Sequence, residues 1–177
     1  AAEVVAPRAR EIDASGEFPL DYYHQAGALG LAGVCVPEEF GGAGMDMVSY
    51  CVAIEEISRV CASSGVILSV NNSLVCDPLM RYATDEQKRE FLPRIARGEI
   101  TFAVGYTEPT AGSDLASLKT RAERDGDHFI INGQKIFTSG AQSADYVWLA
   151  ARTDPNAPPH KGITLFVMDT RLPGFSV

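Results

Sequence analysis

The chain has 177 residues, 46% hydrophobic and 21% charged, with a net charge of −8. That is the balance of a globular chain able to bury a real core, in one large domain or two small ones. The acidic surplus argues against a nucleic-acid partner, which needs clustered Lys and Arg, and the longest nearly apolar run, "GALGLAGVCV", is about half of a membrane span.

The opening "AAEVVAPRAREID" reads as the middle of a helix, and "DYYHQAGALG" as a shorter helix stopped by its glycines. "VPEEFGGAGMD" is a Gly-rich loop whose Glu38 and Glu39 are adjacent and need not converge. In "MDMVSYCVAIEEISRVC" the spacing predicts a helix capped by Asp46, with Met47, Tyr50, Cys51, Ile54, Ile57 and Cys61 on one apolar face and Glu55 and Glu56 in solvent. "SSGVILSVNNSLVCDPLMRYA" predicts another helix, bent or broken before Pro78. "TDEQKREFLPRIARG" carries a capping box, Thr84 with Gln87, and is stopped by Gly98.

After Gly98 the period shortens. "ITFAVGY", "KTRAERD", "HFIIN", "QKIFTS", "DYVWLAART" and "GITLFVMD" read as strands, with "DGD" and "ING" as hairpin turns. Helices followed by strands predict an α+β chain: a helical bundle domain over 1–98, then an antiparallel β domain over 99–177. Cys35, Cys51, Cys61 and Cys76 lack metal or redox spacing and read as buried thiols in a reducing compartment, and the three histidines have no ligand spacing, so no metal site is expected.

Two stretches carry candidate chemistry. "YTEPTAGSDLAS", Tyr106 to Ser117, crowds hydroxyls and closely spaced backbone N–H groups into a slender loop at the helix-to-strand changeover. Such a loop can hold a phosphate or the edge of a polar heterocycle. From spacing alone it reads more readily as a polar connection that satisfies its own backbone. "KIFTSGAQ" sets Phe137 beside Thr138 and Ser139, an aromatic face with hydroxyl donors that could stack on and bond to a flat ring, or a core Phe beside a strand-end cap.

Taken in order, "VPEEFGG", "ATDEQKREFLPRIARGE", "YTEPTAGSD" and "INGQKIFTSG" resemble the acyl-CoA dehydrogenase family over essentially the whole chain, nearest to its short-chain-type members. The resemblance implies the family's N-terminal helical domain and most of a β-barrel-like middle domain, without the C-terminal helical bundle. Both ends look cut, as in a fragment. It implies FAD as cofactor, an acyl-CoA substrate, an electron-transfer flavoprotein as acceptor, and a homo-oligomer, tetramer or dimer.

By the same resemblance Val104, Tyr106, Thr107, Gly112 and Ser113 belong to the strand and loop that hold the flavin's ring edge and pyrophosphate, Thr107 bonding the ring and Ser113 also touching coenzyme A. Phe137, Thr138 and Ser139 match the second flavin segment, usually Trp-Ile-Thr, with Ser139 where a hydroxyl approaches the hydride-accepting nitrogen. Tyr106 stands at a usually aliphatic position. Glu108 and Asp114 are expected to hold the loop in shape. The family's base is a glutamate of the C-terminal bundle, so no catalytic residue is expected here, and "SVNNSLVCDPLM" is expected to set acyl-tail length. The same fold also serves acyl-CoA oxidases and flavin monooxygenases, and a flavin- or acyl-CoA-binding subunit without its own base is a further alternative. Bacterial cytoplasm is favoured over mitochondrial matrix as the compartment.

Overall fold

The computed structural model describes residues 1–17 and 19–177, which form two compact units, Ala1–Thr101 and Phe102–Val177. The first is helical: α1 (Ala9–Ser15), α2 (Leu20–Ala28), α3 (Met47–Ser58), α4 (Ala62–Ser69), α5 (Asp77–Tyr82) and α6 (Asp85–Ala96). The expected caps are in place. Asp46 accepts the Ser49 N–H at 2.8 Å, and Thr84 and Gln87 bond each other's backbone reciprocally at the start of α6.

The face expected on α3 is only half right. Ile57 and Cys61 are buried, but Met47 is 57% exposed and Cys51 is exposed, so the first turns of the helix lie outside the core. The core gathers Tyr22, Tyr23, Ala26, Ala32, Ile57, Cys61 and Leu68. Nor does the chain break before Pro78. It stays right-handed through a π-helical stretch, Val70–Cys76, and Pro78 falls in the first turn of α5, where a missing N–H is tolerated.

Within this core the Tyr22 hydroxyl is buried and has no hydrogen-bond partner among the described residues, and burial, with the Cys61 thiol adding to it, pushes its pKa up to about 12. An unpaired buried hydroxyl carries its desolvation cost uncompensated. Tyr22→Phe is therefore expected to raise stability by about 1 kcal/mol, read as a higher urea midpoint at unchanged slope. A lower midpoint would mean that the hydroxyl has a partner.

The second unit holds β1 (Phe102–Gly105), β2 (Arg121–Asp125), β3 (His128–Asn132), β4 (Tyr146–Arg152) and β5 (Ile163–Asp169) in one sheet. β4 is its centre: it runs parallel to β1, touches β2 in parallel at its end, and pairs antiparallel with β5. The sheet is thus mixed and not a closed barrel, a correction to the antiparallel barrel expected. The cause is topological, since the β2–β3 hairpin lies between β1 and β4 in sequence and returns the chain in the same direction.

Two local expectations also change. "QKIFTS" is not a strand; residues 134–139 are irregular, and Phe137 has a positive φ of 56°. "DGD" does close the β2–β3 hairpin, with Gly126 at φ 61°, but "ING" makes no turn. Gly133 is needed there for close approach, because a Cβ would lie 2.2 Å from Thr120 Oγ1.

Candidate functional site

β1 delivers the chain into the loop that begins at Tyr106. Glu108 and Ala111 exchange backbone hydrogen bonds, 2.8 and 3.2 Å, which folds Pro109 and Thr110 into a tight turn. Beneath this turn the Glu108 carboxylate is buried. It accepts the backbone N–H groups of Lys119 at 2.6 Å and Thr120 at 2.8 Å, and pairs with Lys135 Nζ at 2.8 Å. The two side chains are 4% and 10% exposed. Burial alone would raise the Glu108 pKa, but Lys135, the Thr120 side chain and the two amides outweigh it and hold the carboxyl at about 2.

The same lysine reaches further. Its Nζ also donates to the Tyr106 carbonyl at 3.2 Å, and the next residue, Ile136, donates its N–H to the Thr107 carbonyl at 2.9 Å. Two stretches some thirty residues apart are thereby tied side by side, Tyr106–Glu108 against Lys135–Ile136.

The expected site residues fall into place unevenly. Val104 lies in β1, half-buried. Tyr106 is half-buried against Ala111, Leu118 and Ala150, and burial raises its phenol, with the Trp148 side chain opposing. Thr107 is half-buried, and among the described residues neither its hydroxyl nor its N–H has a protein partner. Phe137 is 85% exposed. The Thr138 hydroxyl is buried and, among the described residues, unpaired; it lines a groove of about 910 Å³ together with Lys135, Ile136, Val147, Leu149 and Met168, within the size range of cofactor sites. Gly112, Ser113 and Ser139 are exposed, and among the described residues no hydrogen bond ties them to either segment.

Of the two loop carboxylates, only Glu108 shapes the loop. The Asp114 carboxylate makes no cap bond to the turn at Leu115–Ser117; its backbone carbonyl instead accepts the N–H and hydroxyl of Ser117, at 3.1 and 2.8 Å. Sequence reasoning passed over Lys135. The available signal was a single cation inside a run taken for a strand, where a charge needs a buried partner.

Residues 1–99 match the family described as acyl-CoA dehydrogenase, N-terminal domain, and residues 103–177 its middle domain. The acyl-CoA dehydrogenase FadE29 of Mycobacterium tuberculosis is 49% identical over 150 residues, covering 85% of this chain and 38% of that protein. Among solved structures, the Tcur3481-Tcur3483 steroid ACAD is 48% identical with a TM-score of 0.81, over 89% of this chain and 40% of that one. A glutaryl-CoA dehydrogenase from Mycobacterium smegmatis in complex with FADH2 is 34% identical with a TM-score of 0.90, over 99% of this chain and 44% of that one. The chain thus spans about two fifths of the length of the relatives it matches.

Proposed function

Since the chain belongs to the acyl-CoA dehydrogenase family, we propose that it forms the flavin-facing part of an FAD-dependent enzyme that oxidises an acyl-CoA thioester to its trans-2-enoyl product and passes the electrons to an electron-transfer flavoprotein. In this proposal the helical domain covers 1–98 and the middle domain 99–177, and the protein works as a homo-oligomer. The observation that carries it is the tie between Thr107 and Ile136, which sets side by side two segments whose Thr107 and Thr138 donors have no partner among the described residues.

The residues present suit a flavin. Among the described residues the Thr107 donors and the buried Thr138 hydroxyl lack protein partners, and Phe137 offers an open aromatic face. Space around Gly112 is open, with nothing within 4 Å of a built Cβ, as a close-lying pyrophosphate needs. Val104, Tyr106, Thr107, Gly112, Ser113, Phe137, Thr138 and Ser139 would hold the group, and Ser113 would also touch coenzyme A. Bound FAD would supply the two-electron acceptor. This chain's residues would orient it, exclude water from its ring face with Phe137, and aim N–H and O–H donors where negative charge gathers. No residue of this chain is assigned as the base.

Ser139 gives the direct test. Ser139→Ala is expected to slow reduction of the flavin by acyl-CoA about tenfold or more, while FAD retention changes less than twofold. The measurement is anaerobic stopped-flow bleaching of the flavin band. An unchanged rate would remove Ser139 from the site. Rapid turnover with oxygen as sole acceptor would favour an oxidase instead.

For the substrate, a short-chain acyl-CoA follows from the resemblance. The 48% identity to a protein named a steroid ACAD favours a second reading, a bulky ring-bearing acyl-CoA. Bleaching by butyryl-CoA or by a steroid side-chain thioester separates the two.

A further inference from the structure

The Glu108–Lys135 pair lies at the base of the site, with Lys135 itself on the wall of the groove, and it bears on the donors beside it. Lys135 Nζ donates to the carbonyl of Tyr106. That carbonyl and the Thr107 N–H belong to one peptide group, whose electrons are delocalised. A cation on the oxygen end draws charge from the nitrogen end, so the N–H becomes a stronger donor, as in any hydrogen-bond chain polarised in a low-dielectric interior. Among the described residues that N–H has no protein acceptor, so the strengthened donor is available to a ligand.

Glu108 makes the arrangement durable. Without it, a lysine whose side chain is 10% exposed would lose its proton or turn to solvent; with it, Nζ is held 2.8 Å from a carboxylate that two backbone amides also fix. The Ile136 N–H bonded to the Thr107 carbonyl clamps the other side of the same residue.

We infer that Lys135 is a positioning residue for the Thr107 amide: the ammonium, locked by Glu108, polarises the Tyr106–Thr107 peptide so that its N–H stabilises negative charge on the ligand bound there. The inference rests on the flavin reading above. It predicts that Lys135 tunes how easily the bound ring accepts electrons, beyond holding the loop together.

The test is the two-electron reduction potential of the FAD-loaded protein. Lys135→Met should make reduction about tenfold less favourable, a potential lower by about 30 mV, while Lys135→Arg stays near wild type. Loss of a positive charge could lower the potential through space, and loss of its partner could prevent folding. The double variant Glu108→Gln/Lys135→Met controls for both, because it removes one charge of each sign and leaves no buried ion unpaired. It should show the same lowered potential. A double variant at the wild-type potential overturns the inference and leaves the pair a purely structural staple. Wild-type protein that takes up no FAD overturns the flavin reading itself, and the inference with it.

Discussion

Glu108→Gln is expected to destabilise the protein by about 3–5 kcal/mol, the usual cost of removing one partner from a buried ion pair. Thr120 N–H and the Lys135 ammonium share Oε1 and Lys119 N–H bonds Oε2, so the amide either turns its NH₂ against the Lys119 N–H or turns it against both Thr120 N–H and the ammonium, and at least one donor is left facing a donor. The urea midpoint should fall sharply, and a change within about 0.5 kcal/mol would show that Glu108 is not the anchor.

Acid provides a second readout of the same residue. The folded carboxyl titrates at about 2 against an ordinary 4.5. A depressed carboxylate stabilises fully above its unfolded pKa and ceases to do so as pH falls through the folded one, so the contribution drains away between about pH 4.5 and pH 2. It amounts to about 3 kcal/mol at most. In Glu108→Gln this part of the acid limb should be missing, and an acid limb identical to wild type would assign the sensitivity to other carboxylates.

How much of this could be read beforehand depends on the range of the forces involved. Asp46, Thr84 and Gln87 act within a turn of their own helices, so their caps were legible from spacing. The exposed start of α3 was not, because an apolar stripe states which residues share a side but not how far the neighbouring elements extend to cover it. Strand existence was legible in Val147 to Ala151, buried on both faces, whereas the parallel pairing of β1 with β4 depends on contacts some forty residues apart. The candidate site divides in the same way. Motif wording pointed to Thr107 and Phe137–Ser139, but Lys135 takes its meaning from Glu108, twenty-seven residues away, and no local pattern links them.

Asn72→Ala should cost the helical unit about 2–4 kcal/mol, as much as truncating a core leucine. Asn72 is 7% exposed and lies in the π-helical stretch. Its Oδ1 accepts the Val34 N–H at 2.8 Å, and its Nδ2 donates to the carbonyls of Leu31 and Leu68, both at 2.9 Å. One amide thus pins the loop 31–34 to the helix, and alanine would leave the buried Val34 N–H with nothing to bond.

Asn72→Asp distinguishes this from simple loss of volume. The carboxylate keeps an acceptor for Val34 but brings negative charge against two carbonyl oxygens, so at neutral pH it should be at least as destabilising as alanine. Protonation restores one O–H donor, so the aspartate variant should regain stability relative to wild type as the medium is acidified, while the alanine variant should not. Equal pH profiles for the two would mean that the Nδ2 bonds contribute little. The neighbouring Leu74, 45% exposed in the same stretch, carries no such burden.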